Sequence, residues 1–118
     1  MSHKLKAKKS LGQNFLHDES VIRDIFAVAE VKEGDWILEV GPGTGALTFQ
    51  LSERVEKLLA IELDHQLVER LTNHFIDSKS VSILEGNILD LHLEAVLREA
   101  GFAEHPYKVI ANIPYYIT

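Results

Sequence analysis

The residues best suited to chemistry gather at the carboxyl end of the chain. An apolar run, Val109-Ile110-Ala111, reads as a buried strand, and Asn112-Ile113-Pro114-Tyr115-Tyr116-Ile117-Thr118 follows it directly. A polar amide, a rigid proline and two aromatics therefore stand together at a strand's carboxyl end, the place where ligands bind in open α/β sheets. A side-chain amide oxygen and neighbouring main-chain carbonyls can accept hydrogens from an exocyclic amine. An aromatic face can hold the flat heterocycle that carries it. Proline fixes the turn and so the direction of the carbonyl beside it.

A second constellation lies upstream, in Glu39-Val40-Gly41-Pro42-Gly43-Thr44-Gly45. Glycine lets the backbone turn sharply and lets a ligand approach the main chain with no Cβ in the way. The helix that starts after the loop offers unpaired N–H groups. Two ligand classes fit. Gly41-x-Gly43-x-x-Ala46 satisfies the dinucleotide fingerprint, which sets a pyrophosphate on the helix terminus. Gly41-x-Gly43-x-Gly45 with Glu39 two residues ahead suggests instead a ligand with a positive group, such as the amino end of a methionyl moiety, because the carboxylate repels a close pyrophosphate. Glu62, at the end of the second strand, can accept from both hydroxyls of a ribose, a feature of either ligand. Its alternative role is a surface acid capping the next helix.

These residues need a scaffold, and the hydrophobic pattern supplies one. Asp18 can cap a helix with Val21, Ile22, Ile25, Phe26 and Ala29 as its apolar stripe. Trp36 to Val40 reads as a first strand and Ala46 to about Val55 as a helix. Leu58 to Ile61 is a second strand, Asp64 to Phe75 a helix, Val81 to Leu84 a third strand, Leu91 to Ala100 a helix and Tyr107 to Ala111 a fourth strand. Alternation of this kind implies a parallel sheet covered by helices on both faces. If the connection after the third strand returns across the sheet, strands 1 and 4 become neighbours and the glycine loop lies beside the Asn112 motif.

With 118 residues the chain is long enough for one core. It has no cysteine, which excludes disulfides and cysteine zinc sites. The six histidines are scattered without paired metal spacing, so no metal is expected. No phosphate-binding Gly-Lys-Ser/Thr loop and no nucleophile elbow is present. No apolar run reaches membrane-spanning length and no signal peptide is visible, so the expected location is cytoplasmic. Net charge is −6, yet Lys4, Lys6, Lys8 and Lys9 stand in the first nine residues with no acid among them. A basic arm over residues 1–17 on an acidic body (18–118) can contact phosphate, or it is a solvated terminus.

Leu11-Gly12-Gln13-Asn14-Phe15-Leu16, the loop from Glu39 to Gly45, Ile61-Glu62-Leu63-Asp64 and Asn112-Ile113-Pro114-Tyr115 occur in this order. Together they resemble the ribosomal RNA adenine dimethyltransferases, and Gly12 and the Gly-Pro-Gly-Thr-Gly loop resemble the small-subunit branch. The resemblance implies a Rossmann-like methyltransferase fold with S-adenosylmethionine as cofactor and adenines of small-subunit ribosomal RNA as substrate. It implies cofactor contacts from Asn14, Leu16, Gly41, Gly43, Glu62, Asn87 and Asn112, and catalysis by Asn112, Pro114 and Tyr115. Asn87 departs from the family pattern, which usually has an acid there to accept from the cofactor's adenine amine; Asn87 can still accept through its amide oxygen, without charge and so more weakly, and its alternative role is a loop cap. Family members continue beyond the fourth strand with further strands and a helical domain and work as monomers. By that pattern, residues 18–118 form the N-terminal part of the catalytic domain, inactive or poorly soluble alone. A nicotinamide-dependent oxidoreductase and a non-catalytic ribosome-assembly factor are the competing readings.

Overall fold

A computed structural model of the protein describes residues 19–111. Helix α1 (Glu19–Val28) precedes strand β1 (Trp36–Val40), followed by α2 (Ala46–Ser52), β2 (Lys57–Glu62), α3 (His65–His74), β3 (Val81–Glu85), α4 (Leu93–Glu99) and β4 (Lys108–Ala111). Every strand anticipated from the sequence is present, and boundaries move by one to three residues. Helix α2 stops at Ser52 rather than near Val55, because Arg54 and Val55 N–H both turn back to the Leu51 carbonyl. Helix α4 begins at Leu93 rather than Leu91, because Asp90 and Leu91 N–H are held in a turn by the Asn87 carbonyl.

The sheet is parallel throughout, in the order β3-β2-β1-β4. The chain therefore returns across the sheet after β3, as the first- and fourth-strand adjacency requires. Alternation along the strands divides the apolar residues between two layers. On one face Ile37, Leu58 and Ile110 pack with Leu47 and Leu51 of α2 and Ile22 of α1. On the other, Leu38, Leu59 and Ile61 pack with Leu97 of α4 and Phe102. The central strands are buried on both sides, which is why β1 and β2 read as near-continuous apolar runs.

Helix α1 ends without glycine. Glu30 takes a left-handed φ of 52°, and Val31 N–H reaches back to the Phe26 carbonyl at 3.0 Å. Burial of Val31 supplies the hydrophobic contact that goes with such an ending. The amino end of β1 is fixed by Trp36. Its ring stacks on His105 at 4.0 Å between centroids and meets Phe102 edge-on at 5.1 Å, and its Nε1 donates to Glu56 Oε2 at 2.7 Å.

β4 is tied to its neighbour at the same end. Lys108 Nζ donates to the Glu30 carbonyl at 2.7 Å and to Asp35 Oδ2 at 2.8 Å. Burial raises the Asp35 carboxyl, but the hydrogen bonds from Lys108 and the Lys32 backbone outweigh it and hold the group below its usual range. The outer side of β4 pairs with no strand among the described residues. Val109 is 57% exposed there. An apolar groove of about 400 Å³ runs between this edge and α1, lined by Val21, Ile25, Val28, Val109 and Ile110.

Gly45, at the amino end of α2 with φ 96°, packs against Leu71 of α3. A Cβ there would lie 2.7 Å from Leu71 Cδ2 and 3.1 Å from Phe49 Cζ. Gly45→Ala should therefore cost roughly 2–4 kcal/mol, from the left-handed backbone and the overlap together. Urea denaturation of the full-length protein checks this; a loss below roughly 1 kcal/mol would mean that the helices separate freely.

Candidate functional site

Parallel pairing lines up the carboxyl ends of the strands. Val40 pairs with Ile61 on one side and with Ala111 on the other, and Glu62 pairs with Glu85. One edge of the sheet thus carries the glycine loop after β1, Glu62 at the end of β2, the Gly86-Asn87 turn after β3 and the exit of β4.

Gly41, Gly43 and Gly45 all have positive φ, at 76°, 60° and 96°. The loop is held by Gly41 N–H to the Ile61 carbonyl at 2.9 Å and Gly45 N–H to the Pro42 carbonyl at 3.0 Å. Among the described residues nothing lies within 4 Å of a Cβ placed at Gly43, which leaves this main chain open to close approach on that side.

Glu62 organises the loop. Its Oε1 accepts from Gly43 N–H and its Oε2 from Asp64 N–H, each at 2.9 Å, and the residue is 8% exposed. It is not the cap of the next helix. That role belongs to Asp64, whose Oδ1 accepts from Gln66 and Leu67 N–H at 2.9 and 3.3 Å. An ionised carboxylate has about four acceptor positions. Glu62 can therefore hold the loop and still accept from two ligand hydroxyls.

Glu39 differs from its sequence reading. It does not line the loop's open side; it is fully buried, and its Oε1 accepts from Thr48 Oγ1 of α2 at 2.7 Å. The alternation of β1 turns it into the layer that Ile37 shares with α2. Its Oε2 has no partner among the described residues. Burial raises its pKa from the usual 4.5 to about 7; the Thr48 hydrogen bond opposes this, and the negative charge of Glu62 adds to it.

Asn87 follows β3 at the same edge. Its Oδ1 accepts from Leu89 N–H at 2.9 Å, so it does cap its own turn. Gly86 N–H donates to the Glu62 carbonyl at 2.9 Å, which sets Asn87 one residue from the end of β2. His65 also stands near this edge, exposed, with Nδ1 2.8 Å from Glu85 Oε1. The hydrogen bond and charge of Glu85 raise its pKa, with smaller help from Glu69 and Asp64. No metal-holding group of His, Asp and Glu occurs among the described residues.

Gly41, Gly43, Glu62 and Asn87 thus meet along one edge. Asn14, Leu16, Asn112, Pro114 and Tyr115 lie outside the described residues, as does the basic arm of residues 1–17. The sequence reading missed Thr48 and assigned no capping to Asp64. Asp64 was open to discovery as an acid immediately before an amphipathic run. Thr48 carried no such signal, since its role depends on the strand–helix contact.

A parallel sheet, a loop of left-handed glycines and an acid closing the second strand make a Rossmann-like fold, and the solved structures it resembles are methyltransferases. A dimethyladenosine transferase from Plasmodium falciparum superposes on 83% of the chain, covering 33% of that protein, with a TM-score of 0.64 at 23% identity. The 23S rRNA methyltransferase ErmE matches 63% of the chain and 30% of its own length, with a TM-score of 0.55 at 27% identity. Within that class, residues 4–118 match the family model of the ribosomal RNA adenine dimethylases, and the chain belongs to that family. A ribosomal RNA small subunit methyltransferase A from Geobacter sulfurreducens is 48% identical over 114 residues, which are 97% of this chain and 41% of the relative. The Levilactobacillus brevis protein of the same name is 45% identical over 116 residues, 98% of this chain and 39% of the relative. The chain therefore spans about 40% of the length of these curated relatives.

The buried carboxyl at position 39 makes stability pH-dependent with a defined sign. A folded pKa near 7 against an ordinary 4.5 means that the folded protein holds the proton more tightly. The contribution is fully present below about pH 4.5 and is lost as pH rises through about 7. Relative to wild type, Glu39→Gln should gain roughly 3 kcal/mol between those limits. Urea melts of both full-length proteins at several pH values measure the difference; parallel stability profiles would contradict it.

Proposed function

We propose that this chain is the cofactor-binding part of an enzyme that transfers methyl groups to the exocyclic amine of adenines in small-subunit ribosomal RNA, giving dimethyladenosine. The observation that carries this reading is the pairing of Val40 with Ala111. The residue before the glycine loop and the residue before Asn112 are neighbours, so donor and acceptor motifs leave the sheet at one edge.

The residues at that edge suit S-adenosylmethionine. Gly41 turns the loop with a left-handed φ, Gly43 has no described neighbour in front of its main chain, Glu62 has spare acceptor capacity for ribose hydroxyls, and Asn87 stands beside it for the base. Asn14 and Leu16 complete the set by family pattern. When bound, this cofactor supplies an electrophilic methyl group on a sulfonium.

An adenine amine is a poor nucleophile because its lone pair is delocalised into the ring. Asn112 Oδ1 and the main-chain oxygen near Ile113 or Pro114 accept the amine's hydrogens, localising the lone pair. The same acceptors stabilise the positive charge that develops on nitrogen, so no strong base is needed. Pro114 fixes the carbonyl that shares this work. The target base leaves its stack to reach the pocket, and Tyr115 stacks on it, an interaction of about 1–3 kcal/mol. The lysines of the arm contact RNA phosphate, and this contact weakens with salt.

The deciding experiment is transfer of labelled methyl by the full-length protein to immature small ribosomal subunits, with mass analysis and mapping of the modified nucleotides. Dimethyladenosine in small-subunit RNA supports the proposal; binding of particles with no transfer favours an assembly factor without catalysis. Asn112→Ala should lower transfer on the order of 100-fold or more while cofactor affinity, followed by calorimetry, stays near normal. Near-normal turnover in that variant would remove Asn112 from the chemistry. Tyr115→Ala should impair RNA-dependent steps, and a large loss of cofactor affinity instead would contradict the stacking role.

A further inference from the structure

A glutamate side chain turns about several bonds, and fixing it for a ligand costs that freedom. At the end of β2 two backbone donors fix Glu62, with Gly43 N–H on Oε1 and Asp64 N–H on Oε2, each at 2.9 Å. The two donors are unequal. Gly43 lies in a loop of positive-φ glycines, a backbone with little preference of its own. Asp64 opens α3, which Val68 and Leu71 root in the core. It has the extended backbone of a capping residue, φ −79° and ψ 116°, and its Oδ1 accepts from Gln66 and Leu67 N–H at 2.9 and 3.3 Å. Its carbonyl takes Val68 N–H at 3.0 Å, so the helix proper begins there. The N–H of a capping residue has no partner inside its helix, and at Asp64 it goes to Glu62. His65 ties the same turn to Glu85 at the end of β3, but both side chains are largely exposed and such a pair holds weakly.

We infer that Asp64 is a positioning residue for ribose recognition: by capping α3 its side chain aims the backbone N–H that holds Glu62 Oε2, and so sets the carboxylate for the ligand's hydroxyls. This rests on the cofactor reading above. Loss of the capping oxygen leaves Gln66 and Leu67 N–H without their acceptor, and the first turn frays. The extended backbone at position 64 is then no longer enforced, and its N–H loses its aim. Glu62 keeps only the donor from the glycine loop and can turn about it. A residue that merely held up α3 would behave differently, because unsettling the helix would weaken every ligand at this edge alike. Asp64 acts through one carboxylate, so its effect follows the ligand groups that this carboxylate accepts.

Two ligands separate the alternatives: S-adenosylhomocysteine, and an analogue with hydrogen in place of both ribose hydroxyls. Each is titrated by calorimetry into the full-length protein and its variants. The wild-type protein should prefer the hydroxylated ligand by on the order of tenfold or more. Asp64→Ala should lose on the order of tenfold for S-adenosylhomocysteine, the effect of one hydrogen bond, and stay within about twofold for the analogue. Asp64→Asn keeps a capping oxygen and should bring S-adenosylhomocysteine back to within about threefold of wild type. Asp64→Gly removes the same oxygen at little cost to the helix, so it carries the test if the alanine variant does not fold, with the same pair of results expected. Equal losses for both ligands, or no loss for either, overturn the inference and leave the cofactor reading intact, because Asp64 is then a helix cap alone. A wild-type protein that binds both ligands equally also overturns it, since Glu62 then does not read the ribose. Failure of S-adenosylhomocysteine to bind the wild-type protein removes the cofactor reading itself and the inference with it.

Discussion

The carboxylate of Glu62 joins the parts of the site that the strands deliver separately. It closes β2, receives Gly43 N–H from the loop after β1 and Asp64 N–H from the start of α3, and its carbonyl takes Gly86 N–H from the turn after β3. Three connections that share no local sequence are thereby referenced to one residue. A charged acceptor between backbone N–H groups forms strong hydrogen bonds, and partial burial limits the screening that would weaken them. The glycine loop can then hold three left-handed residues in one arrangement, although glycine by itself favours none.

Carboxylates at this edge occupy different electrical situations. Glu62 is paired with N–H donors. Glu39, on the same face of the sheet, has a single hydroxyl donor and one oxygen with no described partner. Burial without compensation favours the neutral form, and the neighbouring negative charge acts in the same direction. The two acids therefore differ by environment: Glu62 accepts from the backbone N–H groups of Gly43 and Asp64, and Glu39 joins β1 to α2 through Thr48 with its pKa raised by burial to about 7.

The polar edge is balanced by the anchoring at the opposite end of the sheet. Trp36, His105, Phe102 and Glu56 fix the amino end of β1, and Lys108 clamps β4 against Asp35 and the Glu30 carbonyl. Ordering the strands from that end leaves the carboxyl ends free to carry loops shaped for a ligand. The groove between α1 and β4 leaves Val28 of the helix and Val109 of the outer strand exposed.

Much of this was legible in the sequence. Alternating apolar runs and punctuating glycines gave all four strands and the helices between them, because burial on both faces leaves a continuous hydrophobic signature. Spacing alone made Gly41, Gly43 and Glu62 ligand candidates, and the break from family pattern drew attention to Asn87. Helix ends were less legible: α1 ends at Val28 and the chain turns at Glu30, a residue type with no preference for the left-handed region, held by the burial of Val31, its N–H bond to the Phe26 carbonyl and Lys108 on the Glu30 carbonyl. The direction of Glu39 was not legible, since its partner Thr48 lies on another element and a carboxylate near a glycine loop has no one-dimensional mark of being turned inward. Local chemistry thus determined which segments form and which residues are able to bind. The choice among those abilities was made by the sheet, because the register that sets Val40 between Ile61 and Ala111 also decides which side chains face a ligand and which face the core.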